Sequence, residues 1–483
     1  MKTRIPALLL ACIMTVLCLA ACSSGKSNAD TGNGSTTANE NNEFAEINEY
    51  VESLKKDFSF NGDTVSIVGK ESDHCEDEEV TGNLENDALY NRMREIEEIF
   101  GITYAYDICT GENHDASPSL EVMDKVETDV MSGLGTYDLA HSNIMVGGQV
   151  MLGNSLLQPV EGFAALDFSR SWWINDIENQ FGIGGHLYFL TGKIVTDHYV
   201  DPACLLFNKE LAENYNIEDL YALVKSGEWT FDKMIEVSSV IPAKSGTYRL
   251  GLGNYECGLS LYFGAGFSLS DVDEDGNITL PATLGNDNID FIDKVATAID
   301  DNSTYFVDKR VENAEAPSFE EGEVLFSTDS MGGVSYYREK DVEFGILPMP
   351  KRDTDQKDYI SYSHAMSVCS YTVSKVAKDP EKSAVIAEAM AALSEKYLEP
   401  AYYEKALKGR GTYDTESREM LDLIYAAKKV DYAATYQWGG IWELIDDAIT
   451  GVKDSYVGSY TSSARFGNLK VKQLLSKIEA DNK

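Results

Sequence analysis

The sequence predicts an α/β chain large enough for two lobes, and three observations lead there. Short apolar, β-branched runs alternate with amphipathic helical segments from residue 64 to residue 140, the pattern of an open parallel sheet covered by helices. A further apolar run, Leu205–Phe207, leads into more helical sequence. With 483 residues, 43% of them hydrophobic and 10% aromatic, the chain has enough apolar surface for two separate cores.

In the first part, Thr64–Val68 (TVSIV) has the pattern of a buried strand. Residues 86–100 (NDALYNRMREIEEIF) set Leu89, Met93, Ile96 and Phe100 on one helical face, and Gly101 is the stop. A strand over Ile102–Ile108, a helix over Leu120–Met131 and a strand over Tyr137–Ala140 follow. Ligands of such sheets sit beyond the carboxyl ends of the strands, so the loops at 69–73 and 141–144 are the ones expected at a site. In residues 205–236 (LLFNKELAENYNIEDLYALVKSGEWTFDKMIE) a strand ends at Asn208 and a helix stops near Asn214. Thr230 there has the position of an N-cap, with Phe231, Met234 and Ile235 on the apolar face of the helix it opens. RLGLGN (249–254) is strand-like and precedes a helix at Leu259–Gly264. Asp271, Asp273, Asp275 and Gly276 begin like an EF-hand loop, but Ala282 stands where a bidentate glutamate is needed. Gly276 and Asn277 fit the tip of a hairpin better. The C-terminal region reads as helices over 380–397, 415–428 and 441–452.

Residues 1–21 stand apart. Lys2 and Arg4 precede the apolar run Ala7–Leu19, which is too short for a stable membrane span and is read as a secretory signal. The signal ends Leu19, Ala20, Ala21, Cys22, which resembles the lipobox of bacterial lipoproteins. The resemblance implies diacylglycerol on the Cys22 thiol and a chain anchored by that lipid at the extracellular face of the cell membrane. Residues 23–46, rich in Ser, Asn, Gly and Thr, are expected to form a flexible tether. Five cysteines then remain, Cys75, Cys109, Cys204, Cys257 and Cys369. None has C-x-x-C spacing, so no metal centre is expected. Cys204 and Cys369 read as small core residues, and Cys75 and Cys109, each following a strand, are a candidate pair. The formal charge of −40, from 80 acids and 40 bases, repels phosphate backbones and argues against nucleic acid as a partner.

Taken in order, the motifs resemble those of bacterial extracellular solute-binding proteins of the carbohydrate type, family 1, the group that includes maltose-binding protein. The resemblance is carried by Phe-Asn-Lys-Glu at 207–210 and Trp-Thr-Phe-Asp at 229–232, with GIGGHLYFLTGK (182–193) and VDPACLLFNK (200–209) as the crossover. FEEGEVLFSTDSMGG (319–333), FGILPMP (344–350) and the return strand Ala365–Val373 complete it, over about residues 60–483. It implies a two-lobed periplasmic-binding-protein-like fold of type II, with interwoven lobes joined by a hinge. Lobe one then takes residues 47–193 and 365–405, lobe two takes 194–364, and 406–483 are C-terminal helices mainly of lobe two. The function implied is that of the substrate-binding component of an ABC importer, holding a mono- or oligosaccharide between the lobes. Its partners are then the permease subunits and, through the N-terminal lipid, the membrane.

The same resemblance selects candidate ligand-binding residues. Glu71, Ser142 and Asn143 lie in the ligand loops of lobe one, and Asp201 lies near the hinge. Tyr255 and Glu256 follow the 249–254 strand, Asp329 lies in the turn after Val324–Phe326, and Trp438 and Trp442 stand four apart at a helix start. Aromatic plates suit the apolar faces of sugar rings, while carboxylates and amides select hydroxyls. Read from the residues alone, Asp201 is equally a turn acid before Pro202, Tyr255 and Glu256 a surface pair, and either tryptophan a core residue. Trp172 and Trp173 are a second aromatic pair and lesser candidates. G-x-S-x-G, H-E-x-x-H and Walker motifs are absent from the sequence, so catalysis and a cofactor are not expected. Two alternatives stay open: a receptor for a non-sugar solute, and a surface-anchored glycan-processing enzyme, for which two carboxylates would suffice.

Overall fold

The computed structural model describes residues 36–70, 80–111, 117–173, 181–243, 245–252, 256–273, 276–299, 305–307, 317–407, 415–451 and 455–483. It divides into two compact units, 1–46 and 47–483. A helix, Thr36–Leu54, begins inside the stretch expected to be a flexible tether. The near-absence of large apolar residues there argues against a core but not against a helix, and Ala38, Glu40, Glu43, Ala45 and Glu46 have good helix propensity.

The larger unit is built on two sheets. In the first, β1 (Thr64–Lys70), β2 (Thr103–Cys109) and β3 (Leu139–Asn143) are parallel, and β12 (Cys369–Thr372) pairs antiparallel with β3, in the order β12-β3-β1-β2. The helix Leu84–Phe100 between β1 and β2 is capped by the Asn83 side chain and ended by Gly101 at φ 64, the left-handed stop its position suggested. The second sheet contains β4 (Ala203–Asn208), β5 (Tyr248–Leu252), β8 (Tyr305–Val307), β9 (Val324–Ser330) and β10 (Phe344–Leu347) in the order β10-β4-β9-β5-β8. In it β4 runs antiparallel to both neighbours. Two short pairs complete the strands: β11 (Ser361–Tyr362) with β13 (Lys428–Lys429), and β6 (Asp271–Val272) with β7 (Ile278–Thr279). At the tip of the latter Gly276 has φ 76 and the Asn277 amide donates to Asp273, so the aspartate-rich stretch forms a hairpin.

The chain crosses between the sheets more than once. After β3 a hairpin turns at Gly184 (φ 64) and Gly185 (φ 80), Leu190 pairs with Tyr371 of β12, and helix Asp197–Val200 leads into β4. From the second sheet the chain returns at β12. Helix Pro380–Leu407 then packs on Leu84–Phe100, and helix Thr415–Ala426 packs on β10. The first sheet takes its fourth strand, β12, from beyond the whole of the second, so the chain leaves one sheet and returns to it, which makes this an interwoven two-lobed α/β fold.

The Trp229-Thr230 motif has a local reason. Thr230 accepts the Lys233 amide at 3.2 Å and so starts helix Phe231–Ser238, while the buried Trp229 indole donates to the Pro348 carbonyl at 3.1 Å. One dipeptide thus starts a helix and ties it to the exit of β10. Helices Leu220–Ser226 and Tyr456–Asp481 did not emerge from the sequence. The second contains Gly458 and Gly467 and a serine-rich start, which lowers its propensity. Glycine suits position 467, because a Cβ there would overlap the Leu280 side chain and press on the Trp438 carbonyl oxygen at 3.2 Å. Among the described residues no helix is long and apolar enough to cross a membrane.

Candidate functional site

The strand ends of the two sheets meet at the crossover helix Asp197–Val200. Lys70, at the end of β1, donates to the Cys369 thiol at 3.0 Å and lies 3.6 Å from an Asp197 carboxylate oxygen. His141 of β3 is buried, stacks obliquely on Tyr371 at 4.9 Å, and holds Nε2 3.9 Å from Asp197. At the other end of the helix, buried Asp201 sits 2.6 Å from the Lys428 ammonium. The same ammonium donates to the His198 carbonyl at 3.0 Å and to its Nδ1 at 2.9 Å. The crossover segment 197–201 therefore carries an ion pair to β1 of the first sheet at one end and to Lys428 of the short β11–β13 pair at the other.

Burial sets the electrostatics here. It pushes the Asp201 carboxyl up to about 7 against the pull of Lys428, lowers the Lys428 ammonium, and drives His198 well below the usual histidine range. Burial also raises the Cys369 thiol well above its usual value. His141, Asp197 and Cys369 bring three metal-ligating groups within 4.8 Å, but the Lys70 ammonium already touches two of them.

On the second sheet the end of β5 leads to Glu256, which is buried and held at φ 62, a region a non-glycine residue adopts only under constraint. It opens helix Cys257–Gly264, and the Ser260 hydroxyl donates to the Glu256 carbonyl at 3.0 Å. That hydroxyl is also 2.9 Å from His364 Nε2. With its own hydrogen committed, Ser260 accepts, so Nε2 carries the imidazole hydrogen. Burial pushes His364 down to about 4, which keeps it neutral. Asp329, near the end of β9, accepts the Ser330 amide at 2.7 Å, has no ion-pair partner among the described residues, and is pushed by burial up to about 6.

The expected site residues fall into three places. Asp201, Asp329 and Glu256 lie at one end of the second sheet, where Ala203 opposes Ser330 and Cys204 opposes Asp329. Ser142 and Asn143 lie at the carboxyl end of the first. Ser142 opposes Ser370 in register, and neither hydroxyl has a partner among the described residues. Asn143 spends its whole amide on structure: Nδ2 donates to the carbonyls of Ala365, Met366 and Val368, and Oδ1 accepts from Val146. It pins the return loop on which Met366 is half exposed. Glu71 and Tyr255, together with Cys22 and Cys75, lie outside the described residues. Cys109 is a buried free thiol, like Cys204 and Cys369.

The third place is aromatic. Gly439 (φ 72) and Gly440 (φ 66) interrupt the backbone between Trp438 and Trp442, so the two do not share one helical face as their spacing suggested. Trp438 is 4% exposed, stacks on Tyr436 at 4.8 Å and lies parallel to Tyr432 at 6.3 Å. Tyr432 donates to the Gly182 carbonyl at 2.9 Å, and Phe189 meets Tyr436 edge-on, so the stack rests on the crossover hairpin. Trp442 is partly buried against the same core. Trp172 and Trp173 are buried and donate to Glu388 of helix Pro380–Leu407 at 2.9 and 2.7 Å. Sequence reading missed Lys70, Asp197, His364 and Lys428. Lys70 ends the TVSIVGK strand and was legible by position; Lys428 gave no signal, being 227 residues beyond Asp201.

No family model matches the chain, and no curated protein does. Solved structures do match. A sugar transporter of Rhizobium etli in an open conformation gives a TM-score of 0.58 at 12% identity, over 83% of this chain and 99% of that one. An ABC substrate-binding protein from Listeria monocytogenes in complex with cycloalternan gives 0.53 at 12%, over 85% and 100%. The galacto-N-biose-/lacto-N-biose I-binding protein of a Bifidobacterium longum ABC transporter gives 0.51 at 16%, over 86% and 97%. The chain has the two-lobed fold of the family 1 carbohydrate solute-binding proteins.

Proposed function

We propose that this chain is the solute-binding component of an ABC importer, which takes a mono- or oligosaccharide between its lobes and delivers it to permease subunits. The observation that carries the reading is the crossover: a short segment, 197–201, ion-paired at one end to β1 of the first sheet and at the other to Lys428 of the β11–β13 pair, at the sheet ends where polar side chains gather. Such a link lets two lobes turn on a few backbone torsions, and the groups beside it supply fixed donors and acceptors for hydroxyls. The sugar-bound neighbours support the ligand class. The lipobox-like stretch supports anchoring through Cys22 at the extracellular face of the membrane.

In this reading Glu71 and Ser142 approach the sugar from lobe one, and Asn143 holds the return loop beside them. Asp201, Tyr255, Glu256 and Asp329 approach from lobe two and the hinge, and Trp438 or Trp442 stacks on a ring face. Titration calorimetry against a sugar panel is expected to find a ligand of about micromolar Kd, worth roughly 8 kcal/mol, with no release of reducing sugar. A response to amino acids or peptides alone would make the chain a receptor for a non-sugar solute, and release of reducing sugar would make it an enzyme.

A further inference from the structure

The last helix runs against the charge of the whole chain. Acids outnumber bases 80 to 40 overall, yet residues 456–478 contain Arg465, Lys470, Lys472 and Lys477 and no acid. On helix Tyr456–Asp481 the inner face, with Tyr460, Ala464, Gly467, Val471 and Ile478, is buried in the second lobe. The outer face leaves Phe466 and Leu469 53% and 51% exposed, three residues apart and therefore neighbours on the helix surface. Arg465, Lys470 and Lys472 are exposed around them, and none has an ion-pair partner among the described residues. The Lys470 ammonium lies 5.3 Å from the Phe466 ring centre. Beside them runs a groove of about 770 Å³, lined by Ala282, Thr461, Arg465, Phe466, Leu469 and Lys472, with no acidic side chain on its walls. Packing accounts for the inner face; it gives no reason for an exposed apolar pair flanked by unpaired bases in so acidic a protein.

We propose that this outer face is a docking surface for an anionic lipid bilayer. Interfacial helices combine apolar side chains that enter the headgroup layer with Lys and Arg that meet its charge. Each base near an anionic leaflet strengthens binding about fivefold. The charge complementarity is local: the rest of the body is repelled by the same surface, so this helix decides which side of the protein approaches it. A lipid layer requires charge and two apolar contacts rather than a matched shape, and those are what the face presents. The proposal does not depend on the sugar site, and its test needs neither ligand nor acyl group.

The test is vesicle flotation of the unacylated chain from residue 23, with phosphatidylcholine vesicles with and without phosphatidylglycerol. Wild type is expected to float with the anionic vesicles, to be released by high salt, and to ignore the neutral ones. Arg465→Glu/Lys470→Glu/Lys472→Glu should weaken flotation by on the order of a hundredfold. Phe466→Ser/Leu469→Ser should weaken it with an unchanged salt dependence, and both variants should melt like wild type, since the altered side chains are exposed. Failure of wild type to float, or undiminished flotation of the charge-reversed variant, overturns the proposal. If wild type does not float but charge reversal impairs solute uptake in cells, the face belongs to an acidic protein partner and the lipid assignment is wrong.

Discussion

Two junctions hold the lobes together, and they are made of opposite materials. At the crossover helix the link is ionic: Lys70 to Asp197 on one side, partly exposed, and Lys428 to Asp201 on the other, buried. At the hairpin the link is aromatic: Tyr432, Tyr436 and Trp438 lie against Phe181, Phe189 and the Gly182 carbonyl. A buried ion pair gains little net stability, because desolvation opposes attraction, but it tolerates almost no displacement of one partner. An aromatic stack gains by area and is far less directional. The first junction thus fixes the position of the crossover segment, and the second supplies cohesion beside it.

Substitutions test this division, and the largest effect is expected at the ionic junction. Lys428→Met leaves the Asp201 carboxylate buried without its cation and should destabilise by about 4–5 kcal/mol, read by thermal melting. Adding Asp201→Asn should recover much of the loss. A single variant that melts like wild type would show that the pair does not hold the crossover.

Trp438→Ala comes next, at about 3–4 kcal/mol in chemical denaturation, because its ring is buried in the stack. Trp442→Ala, at a partly exposed position, should lose less. Sugar titration of the same two proteins separates a packing role from ligand contact: unchanged affinity in both would move the proposed stacking plate elsewhere.

The smallest effect concerns pH. His364 is pushed down to about 4, so as pH falls from 6.5 towards 4 the unfolded chain takes up a proton that the folded one refuses. Its contribution to stability is intact above 6.5 and is lost across that window, by roughly 3 kcal/mol. Asp201, raised to about 7, works in the opposite direction, since the folded state holds its proton while the unfolded one releases it. His364→Gln should therefore flatten the loss of stability on acidification or reverse it. An unchanged slope would mean that His364 is not held neutral by burial.

Much of the fold was legible because its signals are local. The 3.6-residue spacing of Leu89, Met93, Ile96 and Phe100 and the stop at Gly101 appear in the structure as a capped helix, and Asn208 and Thr230 cap the helices they precede. The candidate site was legible only in part. Asp201, Glu256 and Asp329 do gather at one sheet end, as strand topology allows. Asn143, expected at a ligand loop, gives its amide to the return loop instead, an engagement across 222 residues or more that no local pattern encodes.

What the sequence determined by itself was therefore most of the strands and helices, the caps that bound them, and the ends of the strands at which polar residues stand. Backbone periodicity and capping act over a few residues and leave their trace in the spacing. What the tertiary structure decided was which charges meet. Lys428 reaches Asp201, Lys70 reaches Cys369 and Asp197, and Tyr432 reaches Gly182, all across chain crossings that bring distant segments together. A buried ion pair or a stacked ring depends on distance and on the exclusion of water, and neither is a property of sequence separation.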